Sequence, residues 1–124
     1  MQNKIIAFDL DETLCTRPKG IEHLGADKYN HCSPIQDMVN VVNKLYDEGH
    51  TIKIYTARGM YTFKGNIEQV YYNLYNLTKE QLDRWGVKYH SLIMGKEPYD
   101  LLVDDKCCRP NEILDNLESC PLRL

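Results

Sequence analysis

The strongest constraint on this chain is a short apolar run that ends abruptly in two carboxylates. The residues from Ile5 to Phe8 have the character of a buried β-strand, and Asp9 and Asp11 follow closely. While a strand persists, side chains two positions apart project to the same side, so both carboxylates would face one space from a rigid support. Two like charges this close are tolerated when a cation lies between them or when one is protonated.

Both conditions are met at a site of magnesium-dependent phosphoryl transfer. There, one carboxylate attacks phosphorus and the other carries the proton. The simpler interpretation is a solvated turn after an edge strand, and two aspartates alone would favour it. Further polar signals downstream favour the chemical interpretation, because each of them also follows a predicted strand.

The composition indicates a single domain without the charge pattern of a nucleic-acid-binding protein. The 124 residues suffice for one hydrophobic core, so we predict one domain over residues 1–124. With 15 basic and 18 acidic residues the net charge is −3, which disfavours nucleic acid as a partner. The five cysteines include no Cys-x-x-Cys pair, and the chain shows no leader and no membrane-spanning apolar run. We therefore expect reduced structural thiols, a cytoplasmic protein and no membrane contact.

Predicted strands and helices alternate along the chain, which is typical of a parallel sheet covered by helices. The predicted strands span residues 4–8, 51–55, 89–94 and 99–103. Between the first strand and the first helix, residues 15–33 are polar and predict a loop or a small hairpin. Ser33 and Pro34 are predicted to begin that helix, and Gly49 to end it.

The segment 60–77 is rich in tyrosine and asparagine, and its role is open among a lip over the site, an oligomer interface and core. Apolar residues at helical spacing predict a helix over residues 67–74. Thr78 is predicted to cap a separate helix, because Gln81 follows it at capping-box spacing.

The strongest polar signals all come just after predicted strands. In chain order they are Asp9 and Asp11, then Thr56, then Lys96, then Asp104 and Asp105. The carboxyl ends of parallel strands lie at one edge of a sheet, and ligands bind beyond that edge. The sequence therefore predicts that residues almost a hundred positions apart meet at one site.

Phosphoryl transfer depends mainly on charge neutralisation and alignment, and this assigns the roles. Asp9 is the predicted nucleophile and would form an aspartyl-phosphate, while Asp11 would protonate the leaving oxygen and then activate water. Mg²⁺ would be held by Asp9 and Asp104, with a backbone carbonyl near Asp11 as a third ligand. Thr56 and Lys96 would bind phosphoryl oxygens.

Each of these residues also has a simpler interpretation. Thr56 would serve equally well as a helix cap, Lys96 as a solvated lysine, and Asp104 with Asp105 as an ordinary turn. Asp105 alternatively orients Asp104 or Lys96 without touching the metal. Arg58 is a candidate for substrate contact, with pairing to a structural carboxylate as the alternative.

The sequence DLDET at positions 9–13, together with Thr56, Lys96 and Asp104-Asp105, resembles the four motifs of the haloacid dehalogenase (HAD) superfamily. The resemblance implies a Rossmann-like α/β fold with a parallel sheet of about four strands in the order 4-1-2-3, flanked by helices. It implies Mg²⁺ as cofactor, with Asp9, Asp11 and Asp104 at the metal. It also implies Asp9 as nucleophile and Asp11 as acid/base, with Thr56 and Lys96 holding phosphate. Most members are phosphatases.

The runs TARGM at 56–60, GKEPYD at 95–100 and VDDK at 103–106 are similar to small phosphatases linked to capsular polysaccharide biosynthesis. The room between the motifs is too small for a large cap domain. The expected activity is hydrolysis of a phosphorylated sugar or glycan precursor, by a protein that could form a homo-oligomer. The alternatives are a nucleic-acid end phosphatase, a phosphoprotein phosphatase and a non-catalytic binding module of the same fold.

Overall fold

The computed structural model describes residues 3–115, and they form a mixed α/β fold. The strands are β1 (Ile5–Phe8), β2 (Cys15–Thr16), β3 (Ser33–Pro34), β4 (Thr51–Tyr55) and β5 (Ser91–Ile93). The helices are α1 (Gln36–Asp47), α2 (Ile67–Arg84) and α3 (Pro110–Asp115), and a 3-10 segment spans Glu22–His31. No helix within residues 3–115 combines the length and the apolar character that crossing a bilayer requires.

A three-stranded parallel sheet lies at the centre, with the order β1-β4-β5. Ile5 pairs with Thr51 and Phe8 with Ile54, while Lys53 pairs with Ser91. This sheet confirms the first three predicted strands and their parallel pairing. Because all three strands run the same way, their carboxyl ends share one edge, as the sequence predicted.

The four-stranded order is not confirmed. Residues 99–103 are not a strand in this structure, and their side chains are exposed, with Val103 at 88%. A Leu-Leu-Val run has the composition of a buried strand, but a strand also requires a partner ladder, which local composition cannot specify. Ile5 on β1 is 68% exposed, so the edge strand presents an uncovered face here.

The chain carries no large cap domain within residues 3–115. Between β1 and α1 the chain forms only the antiparallel β2–β3 ladder and the 3-10 segment, which is the small hairpin predicted for residues 15–33. Between β4 and β5 it forms α2 and its flanking turns. Neither of these two segments forms a separate domain over the carboxyl edge of the sheet.

Two predicted helix starts are wrong. Ser33 and Pro34 belong to β3, and α1 begins at Gln36 without a side-chain cap. Thr78 does not begin a helix either, since α2 is continuous and is capped by Asn66, whose side chain accepts from the Gln69 N–H. Capping-box spacing is a local signal, whereas the buried position of Thr78 is set by contacts with distant parts of the chain.

The core fills the space between the sheet and the helices. Fully buried side chains come from β4, α1 and α2, and they include Ile52, Ile54, Val42, Leu45 and Leu74. These residues recur at strand spacing on β4 and at helical spacing on α1 and α2, so each element buries one face. The packed core fixes the strand ends from which the polar residues project.

Gly59 is where the loop after β4 packs most tightly against α2. Its φ is +83°, and a Cβ there would overlap Leu74 Cδ1. We expect Gly59→Ala to lower the free energy of unfolding by about 2–4 kcal/mol, because backbone strain and overpacking add. Gly20→Ala is the matched control, since Gly20 has a φ of +84° with nothing within 4 Å. Equal losses in urea denaturation of the two variants would contradict the clash.

Candidate active site

Asp9 stands at the carboxyl end of β1 with its carboxylate turned to the open edge. Its Oδ1 accepts a hydrogen bond from the Leu10 N–H at 2.8 Å and lies 3.9 Å from Lys96 Nζ. The side chain is 42% exposed. Burial of the remainder raises the pKa of Asp9 above its ordinary value, against the lowering effects of the Leu10 N–H and Lys96. A partly desolvated carboxylate beside a lysine is suited to nucleophilic attack.

Thr56 and Lys96 follow β4 and β5 and are joined by the backbone. The Lys96 N–H donates to the Thr56 carbonyl at 3.1 Å, and the Thr56 N–H donates to the Ile93 carbonyl at 3.0 Å. The ammonium of Lys96 lies over the rings of Tyr55 and Tyr99, at 5.5 and 5.2 Å from their centroids. Lys96 is therefore a positioned cation, not a freely solvated lysine.

Asp11 forms a two-pronged ion pair with Arg58. Arg58 Nη2 donates to Asp11 Oδ1 at 2.8 Å, and Arg58 Nε donates to Oδ2 at 3.0 Å. Burial alone would raise the pKa of Asp11, but the hydrogen bonds and the charge of Arg58 bring it below its ordinary value. The resting protein therefore holds Asp11 ionised.

Arg58 is buried and is partnered on every side. Its Nη1 donates to Thr78 Oγ1 at 3.1 Å and to Gln81 Oε1 at 2.6 Å, both from α2. Its guanidinium carbon lies 4.8 Å from the centroid of the Tyr29 ring. Of the two interpretations of Arg58, pairing with a carboxylate is the arrangement seen. Contact with substrate stays a prediction.

Two buried thiols complete the surroundings of Asp11. The thiols of Cys15 and Cys32 lie 3.4 and 3.7 Å from Asp11 Oδ1, and neither residue forms a disulfide. The hydrogen bond between the two thiols raises the pKa of Cys15 and lowers that of Cys32. The three ligand atoms lie within 4.8 Å of one another, a spacing a metal could use. Arg58 Nη2 already contacts all three, so a guanidinium takes the place of an ion. Cys120 lies outside the described residues.

A cavity of about 420 Å³ joins these residues, and we call it the site pocket. Its lining includes Asp9, Asp11, Thr56, Arg58 and Lys96. Residues from three adjacent strand ends, from 9 to 96 in the chain, thus meet as the sequence predicted. Tyr61, 79% exposed, also lines it, so the Tyr-rich segment 60–77 contributes to the rim.

Asp104 lines a second cavity of about 640 Å³, which lies beside the site pocket. Asp105 lines neither of these two cavities. This larger cavity also includes Asp9, Lys96 and Thr13 in its lining. The Lys106 N–H donates to Asp104 Oδ1 at 2.9 Å, which defines a local turn. Asp104 therefore faces the same cavity as Asp9 although the predicted fourth strand is not formed.

The oxygen ligands at this edge fit Mg²⁺ in type. Asp9 and Asp104 are accessible carboxylates on one cavity, and Mg²⁺ takes hard oxygen ligands while keeping several waters. Both carboxylate oxygens of Asp11 already accept from Arg58. A backbone carbonyl beside Asp11 is therefore a better candidate ligand for Mg²⁺ than the Asp11 side chain.

Sequence reasoning missed most of the residues that surround Asp11. Gln81 Nε2 donates to the Tyr29 carbonyl at 2.6 Å, and the Gly59 N–H donates to the Tyr29 hydroxyl at 2.9 Å. Tyr29, Thr78 and Gln81 thus support Arg58 from two separate elements. A polar Thr and Gln three residues apart on a helix was the available signal, because on a packed face they require partners.

Comparison with known proteins supports the architecture. No family model matches this chain, and no curated protein matches it either. The chain is similar to the crystal structure of an MCSG target from Vibrio cholerae, with 29% sequence identity and a TM-score of 0.79. That likeness covers 94% of this chain and 92% of the other. The mixed α/β fold described above is therefore shared by a solved structure across nearly its whole length.

Proposed function

We propose that this protein is a magnesium-dependent phosphomonoester hydrolase that works through an aspartyl-phosphate at Asp9. The observation that carries the proposal is the meeting of Asp9, Thr56 and Lys96 in one open pocket, each from the carboxyl end of a different parallel strand. A nucleophile, a hydroxyl donor and a fixed cation are the groups that phosphoryl transfer uses.

The proposal includes membership of the haloacid dehalogenase superfamily. The order β1-β4-β5 agrees with the 1-2-3 part of the order that the resemblance implies. The fourth strand of that order is part of what we propose. Residues 99–103, predicted to form it, have no strand ladder in this structure, and Tyr99 and Leu102 line the larger cavity together with β1.

The proposed reaction has two steps, and different residues act in each. The Asp9 carboxylate attacks phosphorus while Lys96 and the Thr56 hydroxyl neutralise and orient the phosphoryl oxygens. Asp11, held ionised by Arg58, is available to take a proton from the water that cleaves the aspartyl-phosphate. In the first step the leaving oxygen takes a proton from Asp11, which must first have gained it from solvent or from the water cleaved in the preceding turnover. Mg²⁺, bound by Asp9 and Asp104, would supply neutralisation of the phosphate charge.

The proposed substrate is a phosphorylated sugar or glycan precursor. That the protein forms a homo-oligomer stays a prediction. The cavity volume suits a small molecule, and the rim tyrosine Tyr61 offers a face on which a sugar ring can stack.

A panel of phosphate esters tests this function. We expect phosphate release with magnesium, and loss of release by at least about a hundredfold with chelator, because charge neutralisation is a major part of the catalysis. The panel contains sugar phosphates, nucleotides, phosphopeptides and 3′-phosphorylated oligonucleotides. Release confined to peptides or oligonucleotides would contradict the sugar substrate. No release from any class, by folded protein with magnesium, would favour the non-catalytic alternative.

A further inference from the structure

Two cations on the site pocket, Arg17 and Lys28, are not used by the proposed chemistry. Both line the pocket and both are partly buried. Within residues 3–115 neither forms an ion pair with a carboxylate, whereas Arg58 is paired with Asp11 and Lys96 lies close to Asp9. The protein has a net charge of −3, so two such cations on one pocket are not a result of general basicity.

Both cations are held over one buried aromatic ring. Arg17 Cζ and Lys28 Nζ lie 5.5 and 5.3 Å from the centroid of Tyr29, which is 5% exposed. The Tyr29 hydroxyl accepts from the Gly59 N–H, so the ring is fixed to the loop that carries Thr56 and Arg58. The two charges are therefore positioned relative to the phosphate-binding groups instead of moving with a free surface loop.

We propose that Arg17 and Lys28 bind a second anionic group of the substrate, a carboxylate or a second phosphate on the same small molecule. This inference rests on the proposed function, since it assumes that the Asp9 and Lys96 region takes the transferred phosphate. Glu97 is the remaining unpaired carboxylate that lines the pocket among the described residues, and two cations outweigh it. A pocket of about 420 Å³ has the size of a small-molecule site, which favours a compact bis-anion over a polymer.

Matched substrate pairs test the inference. One pair is glucitol 6-phosphate with 6-phosphogluconate, in which a carboxylate replaces the C1 hydroxymethyl group. The other is fructose 6-phosphate with fructose 1,6-bisphosphate, which adds a phosphate. We expect kcat/KM for at least one bis-anion to exceed that of its singly phosphorylated partner by about tenfold or more. One hydrogen bond to a charged group stabilises binding by about this factor. The two pairs distinguish a carboxylate from a phosphate.

Variants locate the effect. We expect Arg17→Gln and Lys28→Gln each to lower kcat/KM for the favoured bis-anion about tenfold. Lys28→Gln should change kcat/KM for p-nitrophenyl phosphate less than about threefold, whereas Arg17→Gln also removes a charge that lowers the pKa of Asp11. Arg17→Lys should restore much of the loss, since it keeps the charge. Lys19→Gln, on the same loop but exposed and outside both cavities, is the control and should change neither substrate. Melting temperatures confirm that each variant is folded.

The outcomes separate this inference from the proposed function. Hydrolysis without preference for bis-anions, or equal loss on both substrate types, would overturn the inference and leave the phosphatase standing. If no ester is hydrolysed, calorimetry measures whether the wild-type protein binds 6-phosphogluconate or fructose 1,6-bisphosphate. Binding that both Gln variants weaken about tenfold supports the anion site without the activity. Absence of binding overturns it.

Discussion

Asp9→Asn is expected to lower phosphate release by at least about a thousandfold, since loss of a catalytic nucleophile commonly has effects of this size or larger. An amide oxygen is a poor nucleophile and cannot form the aspartyl-phosphate. The fold should persist, because asparagine keeps an oxygen that can accept from the Leu10 N–H. Burial raises the pKa of Asp9, so the neutral side chain removes a small desolvation cost. Phosphate release and the urea midpoint are the two measurements.

The control for this variant is Asp37→Asn, which removes an exposed carboxylate of α1 that lines neither cavity. Wild-type protein quenched in acid after brief reaction with labelled substrate should carry phosphate on Asp9, and Asp9→Asn should carry none. Activity that survives in Asp9→Asn would mean that another group attacks phosphorus. Loss of activity in both variants would point to a general effect of charge.

The sequence predicted the placement of the catalytic candidates because two general rules sufficed. An apolar run of strand length followed by a polar residue marks a strand end, and parallel strands bring such ends to one edge. Asp9 follows such a run, Thr56 and Lys96 come one and two residues after predicted strands, and the structure places all three on the site pocket.

The partners of Asp11 could not be predicted in this way, because they depend on tertiary packing. Arg58 meets Asp11 across 47 positions and Gln81 across 23 positions. Neither separation corresponds to a turn or a helical repeat. The fourth predicted strand is not confirmed for a related reason, since residues 99–103 have strand composition but no partner ladder in this structure.

Replacing Arg58 should have the largest effect on stability. We expect Arg58→Met to lower the free energy of unfolding by about 3–5 kcal/mol, because it leaves the Asp11 carboxylate, whose side chain is only 16% exposed, without its partner. Thr78 and Gln81 would also lose a hydrogen-bond donor. Urea denaturation in chelator measures the loss without a contribution from bound cations. If Arg58→Met does not fold, Arg58→Lys, which keeps the charge but loses the two-pronged contact, gives a smaller measurable loss.

Two further variants distinguish the effect of breaking a buried ion pair on stability from a general effect of removing charge. Asp11→Asn combined with Arg58→Met should recover part of the loss, because no uncompensated carboxylate remains. Lys88→Met removes one partner of the exposed Lys88–Asp47 pair and should leave the urea midpoint nearly unchanged. A loss with Lys88→Met as large as that with Arg58→Met would contradict the argument from burial.

The pH dependence of stability gives the sharpest test of the Asp11–Arg58 pair. In the wild-type protein the folded-state pKa of Asp11 lies below its ordinary value of 3.8. Its contribution to stability is therefore present above about pH 4 and is lost as the pH falls through the folded-state pKa. In Arg58→Met, burial would raise the pKa of Asp11 instead, so the variant should gain stability as the pH falls through that raised pKa toward about pH 4. Parallel stability profiles of the two proteins in chelator would show that Arg58 does not set the charge of Asp11.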